Sequence, residues 1–350
     1  MVDIISTEEG FDSLKPIWEK LEQNANMKIM QTFLWQRFSW KLLQNIAGNA
    51  LWILKWSQDG KDDVVIFPFY IDRNGTLRWI FDEHCDSCDA VYSSCKLNRH
   101  WVYKEVSDII MAERRIKSIW LQKMEGGSEA LNYFGVFLQG ASVYKDHASA
   151  YICVNHPGDF ISDQDHLRSD GRKHLRKLLK QGESYQYALL SFNHGDAFPR
   201  DEIVFLRDYM IRSGMRKRGF LSSEMIDFVE TIYNAGCCEI PLFKRNGSPI
   251  SLEFRLLKGT YSLDWIYLTM NPKTGTEINV RYCVDRAKDI AGIIDFGVGV
   301  YEYKILTTRP MVKVTCSIVL GKTVLKHLRC ILRLNIRMIK DFAKGVLLKK

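Results

Sequence analysis

The chain has 350 residues, of which 46% are hydrophobic and 26% are charged, a composition typical of a globular protein with one large or two smaller domains. No apolar run approaches the roughly 18 residues of a membrane-spanning helix, and the acidic start lacks the features of a signal peptide, so we expect a cytoplasmic protein. The formal net charge of +8 arises between Leu320 and Lys350, so residues 1–319 are neutral overall, which argues against a general nucleic-acid binder.

Residues 1–150 are predicted to form a first α/β half. Helical periodicity indicates helices near 11–21, 31–43, 100–114 and 127–137. Strands are predicted at 51–57, 64–71 and 118–123, and Asn74-Gly75 is a tight-turn signal. The helix near 31–43 is rich in aromatic residues, which are typical of a packed core, although Trp35 is also a candidate for the wall of a substrate groove.

Cys85-x-x-Cys88, with His84 and Cys95 nearby, is the arrangement in this half that suggests a metal site. It lacks a second cysteine pair of suitable spacing, and the total of nine cysteines is odd. We therefore interpret the cysteines as free and reduced, in keeping with a cytoplasmic protein, and predict no metal site.

Residues 151–319 are predicted to repeat this order of elements. Helices are predicted near 167–181, 200–213, 222–235 and 277–290, and strands at 185–192, 239–244, 250–257, 261–270 and 293–296. The turn of a hairpin is predicted at Arg245-Asn-Gly-Ser248. Helices alternating with hairpins predict an α/β (α+β) fold with a mixed sheet in two halves.

The helix that opens the second half is strongly basic. Arg172 and Arg176 lie one turn apart on it, with Lys173 beside them, and planar guanidinium groups at this spacing can hold a phosphate or a carboxylate. A solvated basic face is the alternative.

A short loop precedes the predicted helix at 277–290. It ends in Lys273, Thr274, Gly275 and Thr276, so a lysine, two hydroxyls and a flexible glycine stand before a helix start. Unpaired N–H groups and the helix dipole favour an anion there, whereas the alternative is an ordinary capped loop.

The segment Asp295-Phe-Gly-Val-Gly-Val-Tyr-Glu302-Tyr-Lys304 follows the last predicted strand of this half. Asp295 or Glu302 could accept the proton of an attacking amine, and Lys304 could stabilise an oxyanion or hold an acidic substrate group. The alternative is a structural turn in which Asp295 binds backbone N–H groups and Lys304 is solvated.

The pattern from Asp295 to Lys304, together with the basic helix at Ser169–Lys177, resembles the polysaccharide-biosynthesis acyltransferases of the GNAT superfamily (the cellulose-locus, CelD-like group). Phe33-x-Trp35 is a weaker point of similarity, and Asp86 and Asp89 stand where that group often has a D-Y-x-D segment. The loop at 271–276 departs from the usual GNAT phosphate-binding letters.

This resemblance implies a tandem GNAT fold and an N-acyltransferase that uses acetyl-CoA or another acyl-CoA. The acceptor would be an amine on a sugar or a cell-envelope precursor. Asp295, Glu302 and Lys304 would be catalytic, residues 273–276 would bind coenzyme A, and the substrate would contact Trp35, Arg172, Lys173 and Arg176. Two alternatives are a FemAB-like transferase that takes its donor from aminoacyl-tRNA and a non-catalytic scaffold that keeps the GNAT shell.

Residues 320–350 are predicted to form a basic amphipathic helix. Basic residues recur every three or four positions from Lys322 to Lys344, and Leu325, Leu328 and Leu332 begin an apolar stripe beside them. This helix is a candidate for the inner face of an anionic membrane, and the alternative is that its apolar stripe packs on the rest of the protein.

Overall fold

A computed structural model describes the chain apart from residues 24–26, 59–62, 81–83, 93–98, 158–166, 181–184, 272–273, 300–303, 305–306 and 348–350. The chain divides into two compact units. Unit 1 comprises Met1–His147 and Val314–Lys350, and unit 2 comprises Ala148–Lys313. Among the helices of the described part, none has both the length and the apolar composition needed to cross a bilayer.

Unit 1 contains strands on two sheets and helices that cover them. The strands are β1 Val2–Ile5, β2 Ala50–Leu51, β3 Ile53–Ser57, β4 Val64–Phe67, β5 Phe69–Ile71, β6 Thr76–Trp79, β7 Val91–Tyr92, β8 Ser118–Glu125, the first part of β9 Ser142–Val154 and most of β15 Met311–Gly321. The helices are α1 Glu8–Ser13, α2 Lys15–Leu21, α3 Phe33–Leu43, α4 Arg99–Ala112, α5 Glu129–Phe137 and α10 Val324–Leu347. One sheet has the order β1-β3-β4-β7, and the other contains β15-β8-β6-β5-β2.

The core of unit 1 is aromatic. Phe67 and Phe69, at the junction of β4 and β5, are fully buried. The ring of Phe69 lies 4.5 Å from that of Trp79, and the ring of Phe67 meets that of Tyr103 edge-on at 5.2 Å. Phe134 from α5 completes the cluster, so both α4 and α5 are held on the sheet by aromatic contacts.

Unit 2 is built on strands β10 Tyr185–Ser191, β11 Cys238–Arg245, β12 Ser248–Lys258, β13 Tyr261–Thr269, β14 Gly292–Val298 and the second part of β9, in that order across the sheet. Its helices are α6 Ser169–Lys180, α7 Arg200–Arg212, α8 Ser223–Asn234 and α9 Thr274–Asp289. The predicted hairpin turn is present, because Asn246 and Gly247 both have the positive φ angles, 51° and 78°, that a tight two-residue turn requires.

The same crossover connection occurs in both units. In unit 1, β6 leads through α4 to β8, and these two strands pair in parallel. In unit 2, β13 leads through α9 to β14, again in parallel. The buried face of α9 packs Val280, Cys283 and Ala287 among the core residues that include Ile294 of β14. Because ligands in such folds bind at the carboxyl ends of parallel strands, this connection locates the candidate site.

Candidate functional site

The two parallel strands of unit 2 are joined only at their beginnings. Their register comprises Tyr261↔Ile293, Ser262↔Ile294 and Leu263↔Asp295. Strand β13 then continues to Thr269 and β14 to Val298 without further pairing between them in the described residues. A register shift in the β12–β13 pairing, beside Arg255, bends the sheet at the same level. We call the space beyond this pairing, toward the carboxyl ends of both strands, the wedge.

Asp295 lies at the narrow end of this wedge and is 1% exposed. Its carboxylate is 2.5 Å from the ammonium group of Lys313, accepts a hydrogen bond from the hydroxyl of Tyr261, and accepts another from the N–H of Gly297 at 2.9 Å. Gly297 has a φ angle of 69°, which a side chain would disfavour. Asp295 therefore fixes the path of the chain as it leaves the strand.

Lys304 is 4% exposed, so its ammonium group is not solvated. The Nζ atom donates to the carbonyl oxygen of Phe296 and lies 3.3 Å from that of Gly297 and 3.4 Å from that of Val298. These are the carbonyl groups of β14 beyond its pairing with β13. Lys304 thus places a positive charge at the wedge and satisfies backbone groups that would otherwise be buried without a donor.

The wall on the β12 side of the wedge carries a buried ionic cluster. Arg255 is fully buried, donates from Nε to Glu253 at 2.8 Å, and lies 4.0 Å from Asp264. Its guanidinium group stacks 4.4 Å from the centre of the Tyr282 ring on α9. Burial raises the pKa of Glu253, and the nearby Arg255 and Lys304 oppose that shift. Buried clusters of this kind are weak evidence for stability and better evidence for a defined arrangement of charge.

The wall on the α9 side is held by the hydroxyl of Thr274, the first residue of that helix. The hydroxyl donates to the carbonyl oxygen of Asn271 at 2.6 Å and lies 3.0 Å from the hydroxyls of Tyr267 and Thr269. Burial raises the pKa of Tyr267, which therefore stays protonated. Thr274 joins the helix start to the end of β13, and Gly275 and Thr276 follow it in the first turn.

Two of the residues that the sequence proposes for this site lie outside the described residues. They are Lys273 and Glu302. Conversely, the structure adds residues that the sequence reasoning missed, namely Tyr261, Lys313 and the cluster around Arg255. A signal for the cluster exists, because Leu252-Glu-Phe-Arg-Leu256 alternates charged and apolar residues in a strand that is buried on both faces.

The basic helix α6 contributes to an open cavity of about 560 Å³. It is lined by Arg168, Ser169, Arg172, Arg309 and Pro310. Arg172 also donates to the carbonyl oxygen of Leu167 at 2.7 Å. The guanidinium groups that share this cavity therefore come from residues 168, 172 and 309, not from the predicted pair of Arg172 and Arg176.

The arrangement around this cavity depends on Gly171. A bridge between Leu167 and Thr308 brings the segment of Arg309 beside the start of α6, and a Cβ atom on Gly171 would lie 2.2 Å from the carbonyl oxygen of Thr307. Lys173 and Arg176 are exposed on the same helix and do not line the cavity.

Trp35 is fully buried in unit 1. Its indole N–H donates to the sulfur of Cys85 at 3.3 Å, so the side chain packs the core and is not placed on a surface groove. Cys88 is also buried. In the described part of the chain, no group of three or more His, Cys, Asp or Glu side chains is arranged to hold a metal ion.

No protein-family model matches the chain, and no curated protein matches it by sequence. Several solved structures, however, are similar to it in fold. L-PGS from Bacillus licheniformis is 12% identical with a TM-score of 0.59, covering 94% of this chain and 96% of its own. FemX is 12% identical with a TM-score of 0.57, covering 89% and 96%. A tandem GNAT protein from the clavulanic acid biosynthesis pathway is 9% identical with a TM-score of 0.50, covering 91% and 98%.

These likenesses extend over nearly the whole of each chain, and they show the fold. The chain has a tandem GNAT-like fold, as the sequence predicts, with a mixed sheet and two halves. At 9–12% identity the neighbours do not carry their activities to this protein, so the reaction has to be argued from the site.

Proposed function

We propose that the protein is an acyl-CoA-dependent N-acyltransferase with its donor site in the wedge between β13 and β14. The observation that carries this proposal is the separation of the two strands after Leu263 and Asp295. Beyond that point, the edge of β13 has no strand partner on the β14 side among the described residues. An extended ligand with amide groups, such as a pantetheine arm, can hydrogen bond to such an edge as an added strand would.

The start of α9, which follows the end of β13, is the proposed binding site for the pyrophosphate end of the donor. Its first-turn N–H groups and helix dipole would favour the pyrophosphate of coenzyme A, and Lys273 would add a positive charge. Thr274 is only 6% exposed, and its hydroxyl already donates to the carbonyl oxygen of Asn271. We therefore do not assign this hydroxyl to direct contact with coenzyme A. Thr274 positions the helix for the anion.

In the reaction, the nitrogen of an uncharged amine attacks the thioester carbon, the new C–N bond forms as the C–S bond breaks, and the leaving thiolate takes up a proton. A carboxylate has to accept the proton that the nitrogen loses. Both oxygens of Asp295 are engaged by Gly297, Tyr261 and Lys313, so we assign that role to Glu302. Asp295 and Lys304 then hold β14 in place, and Lys304 supplies positive charge near the developing oxyanion.

The acceptor in this proposal is an amino sugar or another amine-bearing precursor of a polysaccharide or the cell envelope. The resemblance of 295–304 and of the basic helix to the cellulose-locus acyltransferases supports this choice. The cavity formed by Arg168, Arg172 and Arg309 would hold an acidic group of the substrate, because guanidinium groups bind phosphates and carboxylates through two parallel hydrogen bonds.

The test is thermal unfolding with acetyl-CoA and with longer acyl-CoAs. A donor present at 100 times its dissociation constant should stabilise the folded protein by about 2.7 kcal/mol. Glu302→Gln should keep this stabilisation but lose N-acetylation of glucosamine, measured as release of free thiol. Glu9→Gln, an exposed acid in unit 1, is the matched control and should behave as the wild type. Stabilisation by no acyl-CoA at all would contradict the proposal.

A FemAB-like transferase is the second candidate, and the likeness to FemX over 89% of the chain supports keeping it. The two candidates differ in the donor. Transfer of a radiolabelled acyl group from acyl-CoA supports the first, and transfer of a labelled amino acid from aminoacyl-tRNA with no reaction from acyl-CoA supports the second. If neither donor reacts and Glu302→Gln has no effect in the cell, the GNAT shell serves as a scaffold.

We also propose that α10 attaches the protein to an anionic membrane surface. Its apolar stripe is turned outward, with Leu325, Leu328, Leu332 and Ile336 exposed by 63%, 58%, 59% and 43%. A different face of the helix packs on unit 1 through Cys330 and Leu334, which join Val319 in a small core. The stripe predicted from the sequence is therefore not the surface that holds the helix on unit 1.

The charges beside this stripe favour anionic lipid as its partner. Arg329 and Arg333 are exposed and Lys326 is partly exposed. Lys322 is used within unit 1, where its ammonium group donates to the carbonyl oxygens of Ile110, Met111 and Glu113 at the end of α4. Each exposed basic residue near an anionic surface contributes about 1 kcal/mol to binding, and the leucines add the burial of apolar area.

Co-sedimentation with vesicles tests this surface. The protein should bind phosphatidylglycerol vesicles, bind phosphatidylcholine vesicles weakly, and dissociate as salt is raised. The double variant Leu328→Glu/Leu332→Glu should lose binding, whereas Val136→Glu, at another exposed apolar position of unit 1, should not. Equal binding to both lipids would refute the proposal, as would concentration-dependent dimerisation that the double variant abolishes, since a second copy would then cover the stripe.

A further inference from the structure

Unit 1 contains a polar cavity of about 290 Å³ that the proposed transfer reaction does not use. The residues that line it are Met27, Lys28, Gln31, Ser87, Asp89, Ala90, Tyr92, Glu125, Gly127 and Ser128. Its volume lies at the lower end of the range for small-molecule sites, which suits a ligand of the size of an amino acid or a monosaccharide.

The cavity occupies the same topological position in unit 1 that the wedge occupies in unit 2. Strands β6 and β8 pair in parallel at only two positions, Thr76↔Ser118 and Leu77↔Ile119, and β8 then runs on to Glu125 at the cavity. Ser128 follows and caps α5 by accepting a hydrogen bond from the N–H of Leu131. The cavity is therefore found at the carboxyl end of β8, one of the two parallel strands, where this connection places ligands.

The cations around the cavity are already bound to carboxylates. Lys28 forms an ion pair with Glu125, and its Nζ atom also lies 3.3 Å from the hydroxyl of Ser87. Arg99 forms an ion pair with Glu129 and stacks 4.2 Å from the centre of the Tyr92 ring. A phosphate or carboxylate ligand would thus compete with side chains that are part of the protein.

Asp89 is a third carboxylate at this cavity, and it belongs to neither of these two ion pairs. It accepts a hydrogen bond from the N–H of Ala90 at 2.8 Å and is partly buried on the cavity wall. Burial raises its pKa to about 7, the charge of Glu129 adds to the rise, and Lys28 opposes it. A carboxylate in this environment lacks a full counter-charge, and a cationic ligand would supply it.

We propose that this cavity binds a small hydroxylated primary amine in its ammonium form, with Asp89 as the counter-charge. Ser87, Gln31 and Ser128 provide hydrogen-bonding groups for the hydroxyls of such a ligand, and Tyr92 provides an aromatic face beside it. The site rests on the cavity of unit 1 and does not require the transfer reaction proposed above.

The affinity should depend on pH in a defined direction. An ammonium ligand pairs with ionised Asp89, so binding at low pH has to displace a proton. With a pKa of about 7, the ionised fraction rises about tenfold between pH 6 and pH 8, and the apparent affinity should rise with it. The other charged groups around Asp89 are Lys28, Glu125, Arg99 and Glu129, which form two ion pairs with one another. Burial raises the pKa of Tyr92 to about 12.

Calorimetry with D-glucosamine, in the absence of any acyl donor, tests the site. The pH series uses ethanolamine, whose amine stays protonated throughout: it should bind at pH 8 and about tenfold more weakly at pH 6. Glucosamine, whose amine is partly uncharged at pH 8, is compared at pH 7 with N-acetylglucosamine, which has the same ring without the charge and should not bind. Asp89→Asn should lose at least tenfold in affinity, while Asp108→Asn, an exposed acid of unit 1, should match the wild type.

The wild-type pH series keeps the test decisive if Asp89→Asn does not fold. Equal binding of glucosamine and its N-acetyl form would overturn the proposal, and so would an affinity for ethanolamine that is constant between pH 6 and pH 8. Absence of binding by glucosamine and by ethanolamine at high millimolar concentration would overturn it as well. Because no donor is present, failure here leaves the acyl-CoA proposal standing, and failure of acyl-CoA binding leaves this site standing.

Discussion

Replacing Asp89 by asparagine should change how the stability of unit 1 depends on pH. In the folded protein the pKa of Asp89 is raised from 3.8 to about 7, so folded chains keep a proton that unfolded chains lose between pH 4 and pH 7. Stability falls with rising pH wherever the folded state binds more protons than the unfolded state. The wild type should therefore lose stability across this window, and Asp89→Asn, which cannot ionise, should not.

The magnitude follows from the size of the shift. A rise of about 3 units corresponds to about 4 kcal/mol at full effect, since each unit is about 1.36 kcal/mol. The variant should match the wild type within a small constant offset near pH 4 and exceed its stability by about 4 kcal/mol at pH 8.

Urea unfolding followed by tryptophan fluorescence measures this difference. Eight of the nine tryptophans lie between Trp18 and Trp120, so the signal reports on unit 1. Asp108→Asn, which removes an exposed acid of unit 1, is the control. A difference between Asp89→Asn and the wild type that is the same at pH 4 and pH 8, or that favours the wild type at pH 8, would refute the reasoning about the cavity.

Three further substitutions test unit 2. Lys313→Met should cost about 3 kcal/mol in urea unfolding because it leaves Asp295 buried without its cation, and adding Asp295→Asn should recover more than half of that loss in a double-mutant cycle. Lys304→Met should lower the melting temperature, since the carbonyl groups of the β14 end lose their donor, and the effect should exceed that of exposed Lys173→Met. Gly171→Ala should cost about 1–3 kcal/mol and weaken protection of the start of α6 from hydrogen exchange, because a Cβ atom has no room beside Thr307.

Local patterns predicted most helices and the hairpins of the fold. The helices of unit 2 begin and end within a few residues of their predicted bounds, and the turn at Asn246-Gly247 was read from its residue types. Start positions were less accurate, as α9 begins at Thr274 instead of 277. Such features depend on residues that are close in sequence, which is why a single sequence carries them.

Long-range pairing explains the elements that the sequence missed. Strand β9 was not predicted because Lys145, Asp146 and His147 interrupt its apolar pattern. Strand β15 was also missed, and it pairs with β8, nearly two hundred residues earlier, from Thr315↔Glu125 to Gly321↔Ser118. This pairing places residues 314–350 in unit 1, whereas the predicted order of elements and the basic C-terminal stripe divide the chain into 1–150, 151–319 and 320–350.

The site was predictable at the level of segments but not of contacts. The position of Asp295 at a strand end follows from the glycines behind it, and the amphipathic character of α10 follows from its spacing. The ion pair between Asp295 and Lys313 could not be predicted from the sequence, nor could the bond from Lys304 to the carbonyl group of Phe296. The exposure of the leucines on α10 could not be predicted either. Each of these depends on which surfaces the tertiary fold leaves open.

In the two proposals, the same connection serves ligands of opposite charge. In both, a helix joins two parallel strands that separate after two or three residue pairs, so in both the backbone opens at the same edge. In unit 2 the opening contains Lys304, bound to backbone carbonyl groups, beside the ion pairs Arg255–Glu253 and Lys313–Asp295. In unit 1 it contains Asp89 beside the ion pairs Lys28–Glu125 and Arg99–Glu129. Because backbone geometry is shared, side-chain charge has to decide the ligand, and this favours an anionic or carbonyl-bearing donor in unit 2 and an ammonium in unit 1. Coenzyme A that bound the cavity of unit 1 as tightly as the wedge of unit 2 would contradict this division.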